Sequence, residues 1–185
     1  SLFSFNATKL IMSGQGGAFC TDDEELYKKA KLFSHHGIDK AVTGKYYWSN
    51  VLGHNYNWTN IQAALALAQL RRIDELIAYK KWLFREYEKG LRNIDGIQLS
   101  SARKNVNPTY WISVAILDEK YGLDKETLRE YFAQENIDLR LLFYPVSSMP
   151  PFKSYLPKAD MSELNPVTYK KSKYGVCLPN GNNLN

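Results

Sequence analysis

The chain has only two cysteines, no long apolar run and no block of like charges. Cys20 and Cys177 lie far apart, without the paired spacing of a disulfide framework or a zinc site. A reducing compartment, the cytoplasm, is therefore the expected location. Because the sequence contains no stretch of about eighteen or more apolar residues, we expect no helix that crosses a membrane.

The positive charge of the chain is not concentrated anywhere. The net charge is +5 and the pI about 9.0, but lysines and arginines are spread among acids. This dispersion argues against nucleic-acid binding. The excess positive charge is as compatible with a diphosphate-bearing substrate as with a nucleic acid. The sequence also lacks the G-x-G-x-x-G and Walker-type fingerprints of nucleotide-binding loops.

The most informative stretch delivers one lysine into a polar, glycine-rich turn. The mostly apolar residues 2–5 precede Lys9, and the glycine-rich residues 14–17 lead into a second apolar run. Shielding from water or a neighbouring cation would lower the pKa of such a lysine. Its amine could then form a Schiff base with an aldehyde, as in pyridoxal-phosphate enzymes. Ser4 could supply a hydroxyl to a phosphate. The alternative is a solvated turn lysine beside a tight hairpin corner.

A helix and a long loop are predicted after the lysine stretch. Thr21 or Asp22 is the expected N-cap of a helix with an acidic first turn, and Gly37 its expected C-cap. The two adjacent histidines before Gly37 would point to different faces, so we expect no shared metal site. The loop 38–52 is rich in Tyr and Trp, which suits either a functional or subunit-contacting loop or simple packing.

The stretch 53–60 leads into the longest predicted helix. Thr59 is the expected N-cap of a helix over 61–91. Asn55 and Asn57 offer amides that suit either a phosphate or a turn. The alanine-rich first half of the helix should be buried and the second half amphipathic, which is typical of a connector between domains.

From residue 97 onward the pattern indicates an α/β domain. Residues 111–117 are rich in β-branched side chains and predict a strand. Asp124 should cap a helix over 125–134, and a second strand is predicted over 137–144. The prolines that follow force an irregular loop.

Four ordered blocks of the sequence resemble one protein family. The blocks are Phe3-Ser-Phe-Asn-Ala-Thr-Lys9 with Gly14-Gln-Gly-Gly-Ala18 and Thr21-Asp-Asp-Glu-Glu-Leu26; Gly53-His-Asn-Tyr-Asn-Trp-Thr-Asn-Ile-Gln-Ala-Ala-Leu65; Arg140-Leu-Leu-Phe-Tyr-Pro-Val-Ser-Ser-Met-Pro150; and Leu178-Pro-Asn-Gly-Asn-Asn-Leu184. They are similar to segments of the DegT/DnrJ/EryC1/StrS family of nucleotide-sugar aminotransferases, in a form most like its perosamine synthases.

The resemblance implies an α/β fold, the fold type I of pyridoxal-phosphate-dependent transferases, in truncated form. Residues 1–75 would be the C-terminal part of the large cofactor-binding domain, with the lysine hairpin and the interface loop. Residues 76–185 would be the connecting helix and the small α/β domain. The family's first half, with the acid that pairs with the pyridine nitrogen and the ring-stacking group, would lie upstream. We therefore expect a fragment or one half of a split enzyme, which alone binds the cofactor poorly or not at all.

The resemblance also implies roles for single residues. Lys9 would hold pyridoxal phosphate as a Schiff base and shuttle protons, and Ser4, Asn55 and Asn57 would bind the cofactor. The asparagines would reach across a homodimer interface to the partner's cofactor phosphate. Arg140 would contact the substrate, a nucleotide-linked keto-sugar, and glutamate would be the amino donor. The favoured reaction is amination at C4 of a GDP-linked 4-keto-6-deoxy sugar. The alternative for Arg140 is an ordinary strand-end arginine in an ion pair.

Two departures from the family pattern bear on these roles. Many relatives have arginine at the position of Asn57 and proline at that of Leu141, which weakens a charged phosphate contact and shifts the substrate loop. Sugar dehydratases of the same fold typically replace the lysine with histidine, so Lys9 favours transamination over dehydration. The other alternative is an inactive fragment that serves as a scaffold or dimerisation piece.

Overall fold

The computed structural model describes residues 1–184, and the chain divides into two compact units, Ser1–Leu76 and Ile77–Asn185. Among the described residues, no helix is long and apolar enough to span a membrane. Within the same residues, no group of three or more His, Cys, Asp or Glu side chains could hold a metal ion.

The first unit combines a β-hairpin with helices. Strands β1 (Leu2–Ser4) and β2 (Gly17–Phe19) pair antiparallel, and the helices are α1 (Glu24–Ser34), α2 (Lys40–Thr43), α3 (Asn60–Leu70) and the start of α4 (Ile73–Leu91). As predicted, Thr59 is the N-cap of α3. Its hydroxyl accepts a hydrogen bond from the Gln62 N–H, and the Gln62 side chain accepts one from the Thr59 N–H. This reciprocal capping box fixes the start of the helix.

Helix α1 begins and ends close to, but not at, the predicted residues. Asp23 is the N-cap, because its carboxylate accepts a hydrogen bond from the Leu26 N–H at 2.9 Å. At the other end His36 takes the left-handed conformation (φ 56°), and the Gly37 N–H donates to the Leu32 carbonyl at 2.9 Å. His35 is the C-cap of α1, not Gly37, and Gly37, whose φ is also positive (67°), lies two positions beyond it.

The single helix predicted over 61–91 is in fact two helices, since the chain turns at Arg71 and Arg72. Arg71 is the C-cap of α3, and the Arg72 N–H donates to the Gln69 carbonyl three residues back. The Arg72 guanidinium then binds both carboxylate oxygens of Glu75 in the first turn of α4, at 2.9 and 2.6 Å. Neither glycine nor proline marks the break.

The prediction that the alanine-rich half of this helix is buried is wrong for this chain. Ala66 is the one buried residue of α3. Ile61 is 76% exposed, and Leu65, Leu67 and Leu70 are about half exposed. A helix that is apolar on all sides needs covering surface on more than one side, and the first unit covers it only around Ala66.

The second unit is an antiparallel sheet with helices. Its strands are β3 (Ile97–Leu99), β4 (Val114–Leu117), β5 (Arg140–Leu141) and β6 (Gly175–Cys177), in the order β3-β4-β6-β5. Its helices, besides most of α4, are α5 (Lys125–Gln134), α6 (Met161–Leu164) and α7 (Pro166–Tyr174). Helix α5 has its predicted bounds, and the predicted cap Asp124 accepts from the Thr127 N–H at 2.9 Å. Strands β4 and β5 are shorter than predicted.

The core of the second unit lies on one face of this sheet. Side chains from α4 and α5 pack against four buried residues: Ala115, Leu139, Val176 and Leu178. Leu139 directly precedes β5 and is buried, whereas Arg140, the first residue of the strand, is exposed.

Candidate active site

Lys9 lies in the loop between β1 and β2, and hydrogen bonds narrow the base of that loop. The Phe5 N–H donates to the Gly16 carbonyl at 2.9 Å, and the Ala7 N–H donates to the Gly14 carbonyl at 3.0 Å. The Lys9 N–H itself donates to the Asn6 carbonyl at 2.9 Å. These bonds extend the hairpin beyond its strands and present Lys9 just past its last rung.

Polar side chains hold the upstream leg of the loop. The Asn6 amide oxygen accepts from both the backbone N–H and the hydroxyl of Thr8, each at 3.2 Å, while its Nδ2 donates to Gln15 at 3.3 Å. The Ser4 hydroxyl accepts a hydrogen bond from the Asn6 N–H at 3.4 Å. Since Ser4 acts there as an acceptor, its own O–H proton remains able to donate.

The downstream leg of the loop is bound to helix α3. The Met12 N–H donates to Gln69 Oε1 at 3.1 Å, and Gln69 Nε2 donates to the Met12 carbonyl at 2.8 Å. Next to it, Ser13 is buried, and its hydroxyl donates to the Gln15 carbonyl at 2.7 Å. One amide side chain thus satisfies both backbone groups of a residue three positions after Lys9.

Trp58 connects the second sequence block to the hairpin. Its ring lies against that of Phe5, with centroids 4.8 Å apart and planes tilted by 60°. A Cβ at Gly16 would lie 1.7 Å from Trp58 Nε1, and the φ of Gly16 is +116°, so this position requires glycine. The sequence pattern did not single out Trp58, although it lies within the block that carries the family resemblance.

Asn55 and Asn57 lie on a segment that pairs with the end of α1. The His54 N–H donates to the Phe33 carbonyl at 2.7 Å, and the Tyr56 N–H donates to the Ser34 carbonyl at 2.9 Å. Asn57 uses both ends of its amide, since Nδ2 lies 2.8 Å from His35 Nδ1 and Oδ1 accepts from the Ser34 hydroxyl at 3.4 Å. Within residues 1–184 the exposed Asn55 side chain makes no hydrogen bond.

An open groove of about 900 Å³ runs between the hairpin, α1 and this segment. Its polar lining includes Asn55, Asn57 and Lys31, whereas neither Ser4 nor Lys9 lines it. Ser4 and Lys9 both belong to the hairpin, whereas the two asparagines lie on the segment that lines the groove beside it.

Arg140 lies in the second unit, on β5, opposite Cys177 of β6. Burial raises the pKa of the Cys177 thiol, and the positive charge of Arg140 partly offsets this rise. In the part of the chain that the structure describes, Arg140 forms no salt bridge, so its guanidinium faces solvent with its charge unpaired by a carboxylate.

Beyond the predicted residues, the structure identifies Gln69, Trp58 and His35 as neighbours of the predicted site. Gln69 has a weak sequence signal, because it is a polar residue near the end of an otherwise apolar helix. The contacts of Trp58 and His35 join segments that lie more than twenty residues apart, which periodicity does not detect.

Comparisons with known proteins agree with the sequence blocks. The profile of the DegT/DnrJ/EryC1/StrS aminotransferase family matches residues 1–185. The chain is 36% identical over 163 residues to GDP-perosamine synthase of Escherichia coli O157:H7, an alignment that covers 88% of this chain and 43% of that protein. It is 30% identical over 183 residues to EpsN of Bacillus subtilis strain 168, which carries the provisional name of a pyridoxal phosphate-dependent aminotransferase; the alignment covers 99% of this chain and 46% of EpsN.

A solved structure supports the same assignment of the fold. Helicobacter pylori PseC, an aminotransferase involved in the biosynthesis of pseudoaminic acid, matches with a TM-score of 0.84 at 24% identity, over 100% of this chain and 48% of PseC. The expected fold, fold type I of the pyridoxal-phosphate-dependent transferases, is thereby confirmed, and the chain spans about half the length of the curated relatives it matches. The chain belongs to the DegT/DnrJ/EryC1/StrS aminotransferase family.

Proposed function

We propose that this chain supplies the cofactor-binding lysine, and part of the substrate surface, of a pyridoxal-phosphate-dependent aminotransferase that acts on a nucleotide-linked keto-sugar. The observation that carries the proposal is the position of Lys9, in a loop whose backbone is hydrogen-bonded on both sides, in a chain of this family. In this proposal residues 1–75 are the end of the large domain, and residues 76–185 are the connecting helix and the small domain.

The donor chemistry of the hairpin fits pyridoxal phosphate. Lys9 carries a primary amine that can bond to the aldehyde carbon, and Ser4 has an O–H proton for a phosphate oxygen. When bound, the cofactor supplies a conjugated ring that accepts electron density from the substrate carbon. Lys9 Nζ would hold the cofactor and, when free of it, would move a proton to or from the reacting carbon.

Asn55 and Asn57 are proposed to act across a homodimer interface on the phosphate of the partner's cofactor. They line a groove that Lys9 does not line, which supports a role outside the site of their own subunit. Asn55 is the stronger candidate, because its amide is exposed and makes no hydrogen bond within residues 1–184. Asn57 already bonds to His35 and Ser34, so we expect it to fix the segment rather than to replace the arginine of relatives.

Arg140 is the proposed substrate contact. An exposed guanidinium at the end of a short strand presents a planar set of donors that suits a diphosphate. By similarity to GDP-perosamine synthases, the proposed reaction transfers the amino group of glutamate to C4 of a GDP-linked 4-keto-6-deoxy sugar. The proposed location is the cytoplasm.

A non-catalytic role as a scaffold or dimerisation piece is the second candidate. The exposed apolar residues of α3 support association with another surface. A sugar dehydratase has less support, because Lys9 stands where those members typically have histidine.

The test is to trap the lysine–cofactor bond. This chain, together with the upstream half that the proposal requires, is incubated with pyridoxal phosphate, scanned for visible absorbance, reduced with borohydride and mapped by mass spectrometry, in parallel with Lys9→Ala. Lys29→Ala, which removes an exposed lysine of α1, is the matched control. We expect an adduct on Lys9 that survives in the control, and a transaminase rate at least ~100-fold lower in Lys9→Ala. If Lys9→Ala and Lys29→Ala carried the same amount of reduced cofactor adduct and had the same transaminase rate, the scaffold role would be the better explanation.

A further inference from the structure

We propose that Gln69 is a positioning residue that fixes the backbone of the Lys9 loop on α3, an inference that rests on the proposed role of Lys9. Beyond the last hairpin rung, between Ala7 and Gly14, the loop has no regular secondary structure. Within this part both backbone groups of Met12 bond to the Gln69 amide, at 3.1 and 2.8 Å. Gln69 is partly buried, and Met12 is 43% exposed.

The geometry is specific for an amide. A glutamine side chain presents one acceptor and two donors in a plane, so it matches the N–H and C=O of a single residue as a neighbouring strand would. A glutamate carboxylate can accept from the Met12 N–H but repels the Met12 carbonyl. A protonated glutamate regains one donor and can make both bonds. Alanine makes neither.

This pair of bonds sets where the amine of Lys9 can reach. Asn6 holds the chain on the upstream side of Lys9, and Gln69 holds it on the downstream side. With both ends fixed, the Cα of Lys9 is fixed as well, and the flexible stem needs to search fewer arrangements. Since a displacement of about 1 Å can cost about a hundredfold in rate, loss of the downstream bonds should lower catalysis without removing the lysine.

The experiment compares Gln69→Ala and Gln69→Glu with the control Gln134→Ala, which removes an exposed glutamine at the end of α5. Hydrogen exchange of a peptide covering residues 8–13 should accelerate about tenfold or more in Gln69→Ala, while exchange across the second unit stays unchanged. The kcat should fall about 10- to 100-fold, with the sugar KM changed less than about threefold, because Gln69 does not bind substrate.

The pH dependence separates positioning from a general loss of structure. In Gln69→Glu the kcat, divided by that of the unmodified protein, should rise as the pH falls from 8 to 5 and the carboxylate takes up a proton. The same ratio for Gln69→Ala should stay level. The inference would be overturned if the kcat ratio did not change with pH in either variant. It would also be overturned if hydrogen exchange at residues 8–13 and the kcat of Gln69→Ala equalled those of the Gln134→Ala control.

Two further outcomes are distinguishable. If borohydride traps no adduct on Lys9 in the unmodified protein, the proposed function fails, while faster exchange at 8–13 in Gln69→Ala would still show the backbone role. If Gln69→Ala unfolds, the pH response of Gln69→Glu tests the positioning role instead. Unfolding of both variants would make Gln69 a purely structural residue, contrary to the proposal.

Discussion

Two adjacent residues at the start of β5 should separate stability from function. Leu139, which directly precedes the strand, is 2% exposed and belongs to the core of the second unit, whereas Arg140, the first residue of the strand, is exposed. Leu139→Ala removes three carbon groups, worth about 0.8 kcal/mol each on transfer from water, or about 2.4 kcal/mol. With the cavity left behind, we expect the free energy of unfolding to fall by about 3–4 kcal/mol.

The matched substitution one residue later, Arg140→Ala, should leave stability nearly unchanged and weaken substrate binding. Arg140→Ala shortens an exposed side chain, so the free energy of unfolding should change by no more than about 0.5 kcal/mol. If Arg140 binds the substrate diphosphate, loss of its charge-assisted hydrogen bonds costs about 1.5–3 kcal/mol, which corresponds to a rise in KM of about 10- to 150-fold. Arg140→Lys should recover part of the affinity, because it restores the charge without the planar donors.

The assay is thermal unfolding followed by far-UV circular dichroism, together with steady-state kinetics on the same samples. At about 4–8 °C per kcal/mol for a unit of this size, Leu139→Ala should unfold about 12–32 °C lower. A midpoint for Arg140→Ala that falls as far as that of Leu139→Ala would refute the inside–outside assignment of the two residues. An unchanged KM for Arg140→Ala would refute the substrate contact alone.

Two further predictions test single contacts. Gly16→Ala should destabilise the first unit by at least about 2 kcal/mol more than Gly14→Ala in urea unfolding, because both have positive φ but a Cβ meets Trp58 only at position 16. An equal loss in both would refute the contact. Burial lowers the pKa of Lys125, so the unfolded chain binds the Lys125 proton more tightly than the folded chain does. The stability that the neutral amine contributes is therefore complete above the ordinary pKa of 10.5 and is lost as the pH falls through the pKa of the folded state. The free energy of unfolding should therefore rise more steeply with pH below 10.5 in the unmodified protein than in Lys125→Met, and identical slopes would contradict the shift.

Local chemistry was sufficient to predict several element boundaries. Thr59 and Asp124 precede apolar-periodic segments, and both are N-caps in the structure. The break at Arg71 and Arg72 has no such signal, because no glycine or proline lies there; an exposed ion pair between Arg72 and Glu75 accompanies it. The exposure of α3 was mispredicted for another reason: composition shows that a helix favours burial, but it does not show whether the same chain supplies the cover.

In the candidate site, too, some features could be predicted from the sequence and others could not. The lysine in a glycine-rich turn could be predicted, because the turn is encoded within about fifteen residues of sequence. The residues that hold it could not, since Gln69 lies 57 positions from Met12 and Trp58 lies far from Phe5 along the chain. Lys125 illustrates the limit in the second unit. It occupies the first position of a helix, usually a surface position, yet it is buried because Nζ donates to the Leu142 carbonyl at 2.9 Å and lies 3.5 Å from the Tyr144 ring centre.

Both units use helix side chains to fix segments that have no strand partner. In the first unit, Gln69 of α3 binds Met12 beside the lysine loop. In the second, α4 binds the carbonyls of residues 179–184, since the hydroxyls of Tyr87 and Tyr79 donate to Pro179 and Leu184 at 2.6 Å each. A segment that must present its side chains or backbone to a ligand has fewer ladder bonds available, so its unpaired carbonyls and N–H groups need other partners. Long polar side chains on a rigid helix provide them. Substitutions on the inner faces of α3 and α4 should therefore alter the shape of the adjoining segments even where no ligand touches the helix.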